Sequence, residues 1–185
     1  MGEIRTERLL LRECRKEDIS RISEIANNEK IANNMPECFP HPCTLEAAKK
    51  WFNFVNLPEE RDKNFVIVFD GEIVGGVGFE LKKGIREGVA SLVYWLGEDY
   101  WGKGIGTEGT GAVVDYIFEN FDVRRIDIMV FSWDIASTKV AKKFGFSEEG
   151  RMRNEVIRFG EVGDEIRYGL LRGEWEVLND KIDDL

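Results

Sequence analysis

The chain has 185 residues, of which 43% are hydrophobic and 33% are charged, and it carries a formal net charge of −9 at pH 7. A chain of this length can bury about two-thirds of its unfolded surface in one domain, so we expect a single domain over residues 1–185. The acidic charge argues against a nucleic-acid-binding protein, the apolar runs are too short for a membrane span, and the three cysteines are expected to be free thiols of a cytosolic protein.

The N-terminal region predicts one strand and two helices. Residues 7–13, ERLLLRE, are typical of a short strand, and isoleucines at three-residue spacing predict one face of a helix over Lys16–Ala26. A polar break, NNEKIANNM, follows. Thr44 is placed to cap the next helix. The apolar side of that helix consists of Leu45, Ala48, Trp51, Phe52 and Val55.

The next segment of the sequence predicts three strands that form an antiparallel meander. They lie over Asn64–Phe69, Glu72–Leu81 and Val89–Leu96. Asp70-Gly71 is a hairpin-turn signal between the first two. Residues 82–88 predict a second turn.

The second half changes to alternating helices and strands. The predicted elements are a helix over 107–121, a strand over Arg125–Phe131, a helix over Asp134–Phe144, and two strands within Phe146–Leu171 around a turn at Gly160–Gly163. We therefore expect an α/β fold of the α+β kind. Its mixed, mostly antiparallel sheet has about seven strands, one parallel β-α-β crossover and helices on both faces.

The segment 102–109, GKGIGTEG, matches the dinucleotide-binding pattern G-x-G-x-x-G from Gly104 to Gly109. A dinucleotide-dependent oxidoreductase needs this motif in its first β-α-β unit and an acidic residue about 20 positions later. Here the loop follows four predicted strands, and neither Asp122 nor Asp127 is well placed for the ribose. A P-loop is excluded because G-x-x-x-x-G-K-[ST] does not occur in the chain.

The segment still has the chemistry of an anion site. Gly102, Gly104 and Gly106 allow close approach of the backbone, and the helix starting at about Thr107 directs free N–H groups to the same place. Lys103 adds a positive charge. We interpret the segment as a pyrophosphate cradle, and the alternative is a glycine-rich turn packed against a neighbouring strand.

Two longer stretches, LVYWLGEDYWGKGIGTEGTGAVVDYIFE and FSWDIASTKVAKKFGFSEEG, resemble the GCN5-related N-acetyltransferase superfamily. The closest resemblance is to the branch with the ribosomal-protein N-terminal acetyltransferases and spermidine acetyltransferases. ERLLLRECRKED resembles its opening strand and GDEIRYGLLRGEW its closing strand. The resemblance implies acetyl-CoA as acyl donor and a sheet that splays open beside the Val89–Leu96 strand.

The resemblance also implies which residues bind the donor. The family's pyrophosphate loop falls on Trp101, Gly102, Lys103, Gly104, Ile105 and Gly106. Trp101 replaces the usual Arg or Gln, which puts the bond of that side chain in doubt but leaves the backbone amides unaffected. The pantetheine arm is expected to pair with backbone groups of Tyr94, Trp95 and Leu96.

The family's Asn-x-x-Ser pattern falls on Asp134 to Ser137. Asp134 keeps a helix N-cap but removes an amide donor and adds a negative charge. Many relatives have a tyrosine general acid in the last helix, where this chain has Ala141. Ser137 is the expected proton donor to the departing thiolate, and the alternative is an ordinary first-turn serine.

The implied reaction is direct attack of a free amine on the thioester in a ternary complex. The acceptor is a protein N-terminal α-amine, a polyamine or a small-molecule amine, and a homodimer is common among relatives. The candidate general bases are Glu80, Glu98, Glu149 and Asp164. The competing hypothesis is a CoA-binding sensor or scaffold without transfer activity, which the departures at Trp101, Asp134 and Ala141 leave open.

Aromatic residues near the second predicted helix suggest an acceptor site. Phe39 and Phe54 are candidates for a substrate wall, whereas Trp51 and Phe52 share the apolar stripe and are expected in the core.

The stretch PECFPHPCT places Cys38, His41 and Cys43 close together. A structural zinc site needs four ligands, and only distant Cys14 remains as a further thiol or imidazole. We therefore expect a proline-stiffened loop rather than a metal site.

Overall fold

A computed structural model describes residues 3–60 and 63–183, in which eight strands and six helices form a mixed α/β fold. The strands are β1 (Ile4–Arg5), β2 (Leu9–Arg12), β3 (Asn64–Phe69), β4 (Glu72–Leu81), β5 (Val89–Leu96), β6 (Arg125–Phe131), β7 (Ser147–Arg158) and β8 (Glu161–Leu171). The helices are α1 (Ile19–Ala26), α2 (Glu29–Ala32), α3 (Leu45–Val55), α4 (Ile105–Asn120), α5 (Ile135–Lys143) and α6 (Arg172–Asp183). None of the helices in these ranges is long and apolar enough to cross a membrane.

The strand order is β1-β2-β3-β4-β5-β6-β8-β7, and β5 pairs with β6 in parallel. This confirms the predicted mixed, mostly antiparallel sheet with one parallel crossover. There are eight strands rather than about seven, because Ile4 and Arg5 pair with Leu11 and Leu10 of β2. A two-residue strand carries too little alternation to be detected in the sequence.

The chain forms two compact units, and the first comprises Met1–Phe79 and Tyr94–Val113. In it, β2, β3 and β4 pair antiparallel in sequence order. Four consecutive residues of β3, Phe65 to Val68, are buried, so both faces of this strand are covered. Val66 and Val68 join a core cluster with residues of α1 and α3. On the other face, a Cβ placed on Gly109 of α4 would lie 3.3 Å from Ile67 Cδ1, so helix and strand pack closely there.

The helices of the first unit agree in part with prediction. Thr44 caps α3 as expected, because its Oγ1 accepts a hydrogen bond from the Ala47 N–H at 3.2 Å. The polar break, by contrast, contains the short helix α2, which Asn28 caps through its side chain. Its buried residues, Ile31 and Ala32, are too few to produce a recognisable helical period.

The second unit comprises Glu80–Val93 and Val114–Leu185. In it, β6 pairs antiparallel with β8, and β8 with β7. Its buried residues include Ile117, Phe118, Ile126, Tyr168 and Leu170. This core joins the C-terminal half of α4 with the inner positions of β6 and β8.

Two predictions in the second unit are wrong in detail. The β7–β8 turn lies at Phe159 and Gly160, with φ of 47° and 86°, rather than at Gly160–Gly163. The closing strand ends at Leu171, and Arg172 begins α6, so RGEW is helical and α5 is not the last helix. The strand passes directly into the helix, and Gly173 lies one residue inside α6 rather than before it, which hides this boundary in the sequence.

Candidate functional site

The glycine-rich loop has a conformation that requires glycine at two positions. Gly102 and Gly104 have φ of +73° and +78°, in the left-handed region that side chains disfavour. Helix α4 begins at Ile105 rather than at Thr107, and the Glu108 N–H donates to the Gly104 carbonyl at 2.9 Å. The three N–H groups before Glu108 therefore lie in the first turn without an intrahelical acceptor, which is the arrangement of a helix N-terminal anion site.

The other two glycines of the motif have packing roles. Gly106 lies in the first turn of α4, where a Cβ would be 3.5 Å from the Tyr94 ring. Gly109 brings α4 against β3, as described above. The motif thus combines one residue of positive φ (Gly104), one in ordinary contact with a ring (Gly106) and one position of close packing (Gly109), and a dinucleotide fold is not needed to explain it.

The side chains of Trp101 and Lys103 are exposed, whereas Ile105 is completely buried. Lys103 Nζ lies 5.3 Å from the centroid of the Tyr100 ring. Trp101, which is 41% exposed, donates from Nε1 to the Leu96 carbonyl at 2.7 Å. The residue that departs from the family pattern therefore ties the loop to the end of β5.

The predicted pantetheine strand is the C-terminal part of β5. Trp95 and Leu96 are buried, Tyr94 is half-buried, and the Leu96 carbonyl already accepts the Trp101 bond. The parallel ladder between β5 and β6 ends at the pair Ser91 and Asp127, five residues before β5 ends. This early end of the ladder agrees with the splayed strand that the resemblance implies.

Asp134 and Ser137 lie in the second unit, at the start of α5. Asp134 is 9% exposed, and its carboxylate accepts a hydrogen bond from the Ser137 N–H at 2.9 Å. The predicted N-cap is therefore confirmed. This bond uses the backbone N–H of Ser137 as the donor. Ala141 is completely buried in the same helix.

Three residues that the sequence did not single out surround the glycine loop. Glu108 accepts hydrogen bonds from the Thr6 hydroxyl, from the Arg8 N–H at 2.9 Å and from Arg8 Nε at 2.7 Å. Arg8 also donates from Nη1 to the Lys103 carbonyl at 3.0 Å. Burial would raise the pKa of Glu108, but the bonds from Thr6 and Arg8 outweigh it and lower that pKa. In the sequence, the only feature that pointed to these contacts was the acidic residue Glu108 inside the G-x-G-x-x-G motif.

Two of the candidate bases are held by cations. Glu98 accepts hydrogen bonds from Lys30 and from Asn28, and these bonds lower its pKa. Glu149 accepts from Arg125 Nη1 at 2.6 Å, and this pairing likewise lowers the pKa of Glu149.

The other two candidates are also paired. Asp164 accepts from the Asn154 N–H at 2.9 Å and from Arg151 at 3.0 Å, which lowers its pKa. Glu80 pairs with Lys82 at 2.6 Å. All four carboxylates are thus engaged in local ion pairs, and the lowered pKa of three of them makes those three weaker bases.

Three of the four aromatic residues near α3 pack against the core cluster, whereas only two were expected there. Trp51 and Phe52 pack against the core cluster of the first unit, as expected. Phe39 packs there too, edge-to-face with Trp95 at a centroid distance of 5.8 Å. Phe54 is 52% exposed and remains available as a substrate wall.

The Cys38–Cys43 loop does not gather metal ligands. Cys43 is buried in the core cluster, whereas Cys38 is exposed. Among residues 3–60 and 63–183, no group of three His, Cys, Asp or Glu side chains is arranged to hold a metal ion.

Comparison with known proteins identifies the relatives of this chain. A family model described as the acetyltransferase (GNAT) domain matches residues 8–147. The uncharacterized N-acetyltransferase p20 of Bacillus licheniformis is 26% identical over 178 residues, which are 95% of this chain and 99% of that protein. The crystal structure of a GNAT-family acetyltransferase from Bacillus anthracis has a TM-score of 0.80 and 26% identity, covering 94% of this chain and all of that one. RimL, a ribosomal L7/L12 α-N-protein acetyltransferase in complex with coenzyme A, has a TM-score of 0.80 and 22% identity, covering 92% and 98%.

Proposed function

The chain belongs to the GNAT acetyltransferase family and is an enzyme that transfers an acetyl group from acetyl-CoA to an amine, and we propose that its acceptor is the α-amino group of a protein or peptide. The conformation of residues 102–107 supports the use of acetyl-CoA. Two glycines of positive φ and the free N–H groups of the first turn of α4 form a cradle for a diphosphate.

The choice of acceptor rests on the weakness of the available bases. An α-amino group, with a pKa of about 8, is roughly one-tenth neutral at pH 7, whereas a lysine-like amine, with a pKa of about 10.4, is less than one-thousandth neutral. Glu98, Glu149 and Asp164 have lowered pKa values, and the single histidine, His41, lies 4.0 Å from Glu29. Candidate bases with a lowered pKa fit an acceptor amine that is partly neutral already. The L7/L12 α-amine named for RimL is of this class.

In the proposed reaction, both substrates are bound together. The amine nitrogen forms a bond to the thioester carbonyl carbon, the carbon–sulfur bond breaks, and the amine loses a proton to solvent. Ser137 Oγ–H gives its proton to the departing thiolate and is reprotonated by water. The backbone of Gly102–Gly106 holds the pyrophosphate, and Tyr94, Trp95 and Leu96 pair with the pantetheine arm.

Binding is tested by thermal shift with acetyl-CoA, with NADH in parallel. A ligand at 100 times its Kd adds about 2.7 kcal/mol of stability, so we expect a clear shift with acetyl-CoA and none with NADH. A shift with NADH alone would mean that the loop binds a dinucleotide. Tight binding without turnover on any amine would favour the non-catalytic CoA-binding alternative.

The acceptor is tested with three amines at equal concentration: a peptide with a free N-terminus and no lysine, the same peptide with a blocked N-terminus and one lysine, and spermidine. We expect kcat/KM to be highest for the free N-terminus. Its value should rise with pH up to about 8, where the α-amine loses its proton. A higher kcat/KM for spermidine or for the blocked peptide would contradict the proposed acceptor.

A further inference from the structure

Hydrogen bonds to the Glu108 carboxylate connect the β1–β2 turn to the first turn of α4. The Thr6 hydroxyl accepts from the Leu9 N–H at 2.9 Å and donates to Glu108, and the Arg8 side chain and N–H also donate to this carboxylate. Glu108 therefore receives bonds from three groups of the same turn. The guanidinium of Arg8 is held in one orientation as a result, although its side chain is 40% exposed.

The remaining edge of the guanidinium contacts the loop itself. Arg8 Nη1 donates to the Lys103 carbonyl at 3.0 Å, and Arg8 Nη2 would lie 3.3 Å from a Cβ placed on Gly104. A trans peptide is planar, with its C=O and N–H pointing in opposite directions. Since the Lys103 carbonyl points to Arg8, the Gly104 N–H of the same peptide must point away from it.

We propose that Arg8, held by Glu108, is a positioning residue that sets the orientation of the Lys103–Gly104 peptide and so presents the Gly104 N–H to the pyrophosphate of the acyl donor. This inference rests on the proposed cradle. It also explains why an acidic residue is compatible with an anion site: Arg8 neutralises the Glu108 carboxylate, which would otherwise repel the donor from the first turn of α4.

The experiment compares two donors with the full-length enzyme. Acetyl-CoA carries the pyrophosphate, whereas S-acetylpantetheine has the same thioester but lacks the pyrophosphate and the nucleotide. Arg8→Met should lower kcat/KM for acetyl-CoA by about tenfold, the equivalent of one hydrogen bond, and should leave kcat/KM for S-acetylpantetheine unchanged. Most of the loss should appear in KM rather than in kcat.

Arg5→Met is the matched control. Arg5 belongs to the same hairpin, pairs with Glu3 at 2.7 Å and is 70% exposed, so this variant removes the same charge without touching the loop. It should keep the wild-type ratio between the two donors. Arg8→Lys retains the charge but cannot bond Glu108 and the Lys103 carbonyl in the same fork, so it should show most of the loss in kcat/KM for acetyl-CoA that Arg8→Met shows.

Four results would overturn the inference. An equal loss with both donors in Arg8→Met would mean that Arg8 only supports the fold, and no loss would mean that it does not act on the loop. Wild-type behaviour of Arg8→Lys would mean that charge alone matters. If the wild-type enzyme itself showed no preference for acetyl-CoA over S-acetylpantetheine, the proposed cradle would fail, and the inference with it.

Discussion

Substitution of Gly102 by alanine adds one methyl group to the loop. The residue has a φ of +73°, and apart from Gly102 and its two neighbours in the chain, no described residue has a heavy atom within 4 Å of the position of the new Cβ. The cost to folding is therefore the backbone strain alone, about 1–2 kcal/mol for a left-handed non-glycine residue. If the loop holds the pyrophosphate, the methyl group and the strained backbone displace at least one charge-assisted hydrogen bond, worth about 1.5–3 kcal/mol. We expect the Kd for acetyl-CoA to rise by about tenfold to a hundredfold.

Gly71→Ala is the matched control. Gly71 lies in the β3–β4 hairpin with a φ of +82°, and its Cβ position is likewise free of heavy atoms within 4 Å, apart from those of Gly71 and its two chain neighbours. Both variants should lose a similar free energy of unfolding, measured by urea denaturation. Only Gly102→Ala should lose affinity, measured by isothermal titration calorimetry with acetyl-CoA. Equal affinities of the two variants would refute the role assigned to the loop.

Three further outcomes concern the second unit. Ser137→Ala should lower kcat by about a hundredfold, as for loss of a general acid, and should keep the helix cap because the cap uses its N–H; an unchanged kcat would identify an ordinary first-turn serine. Asp134→Ala should cost about 1 kcal/mol in urea denaturation through loss of the N-cap. The hydrogen bond from Arg125 lowers the pKa of Glu149 in the folded state. Their pairing therefore stabilises the fold at pH values above the ordinary carboxyl pKa of 4.5. This stabilisation is lost as the pH falls through the lower folded-state pKa. The stability difference between the wild type and Glu149→Gln should therefore be constant near pH 7 and shrink below pH 4.5; a difference that grew on acidification would contradict this sign.

Four strands of the sheet could be predicted closely from the sequence. The bounds of β3, β4, β5 and β6 agree with the predicted ranges. These strands are rich in β-branched and aromatic residues and are bounded by Gly, Asp or charged turns, so local composition and packing point to the same structure.

The elements that were missed depend on tertiary contacts. Arg172 of α6 donates from three nitrogens to the carbonyls of Phe118, Phe121 and Val123, which fixes the start of this helix after a continuous strand. No local signal marks these partners, since they lie about 50 residues earlier. Similarly, Phe159 adopts a positive φ that a bulky residue disfavours, so turn propensity placed the β7–β8 turn at the following glycines.

In the glycine-rich loop, too, the local features were predictable from the sequence, whereas the long-range contacts were not. Its glycines were identifiable because positive φ restricts the choice of residue, and this restriction is a property of one position. The contacts of Arg8 with Glu108 and Lys103 join residues 95 to 100 positions apart, and nothing in either segment indicates the other.

Two side chains, those of Trp101 and Arg8, hold the glycine-rich loop, and their hydrogen bonds indicate whether the loop is suited to bind the acyl donor. Trp101 Nε1 bonds the Leu96 carbonyl at 2.7 Å on one side of Gly102, and Arg8 bonds the Lys103 carbonyl at 3.0 Å on the other. The Arg or Gln expected at Trp101 is absent, yet the position still makes a directed bond to the backbone. A loop fixed on both sides of its first glycine loses little conformational entropy when it binds an anion, because it is already ordered. The departure from the family pattern at Trp101 is therefore compatible with a loop preorganised for acetyl-CoA, and loss of either bond should weaken affinity for the donor more than it slows acyl transfer.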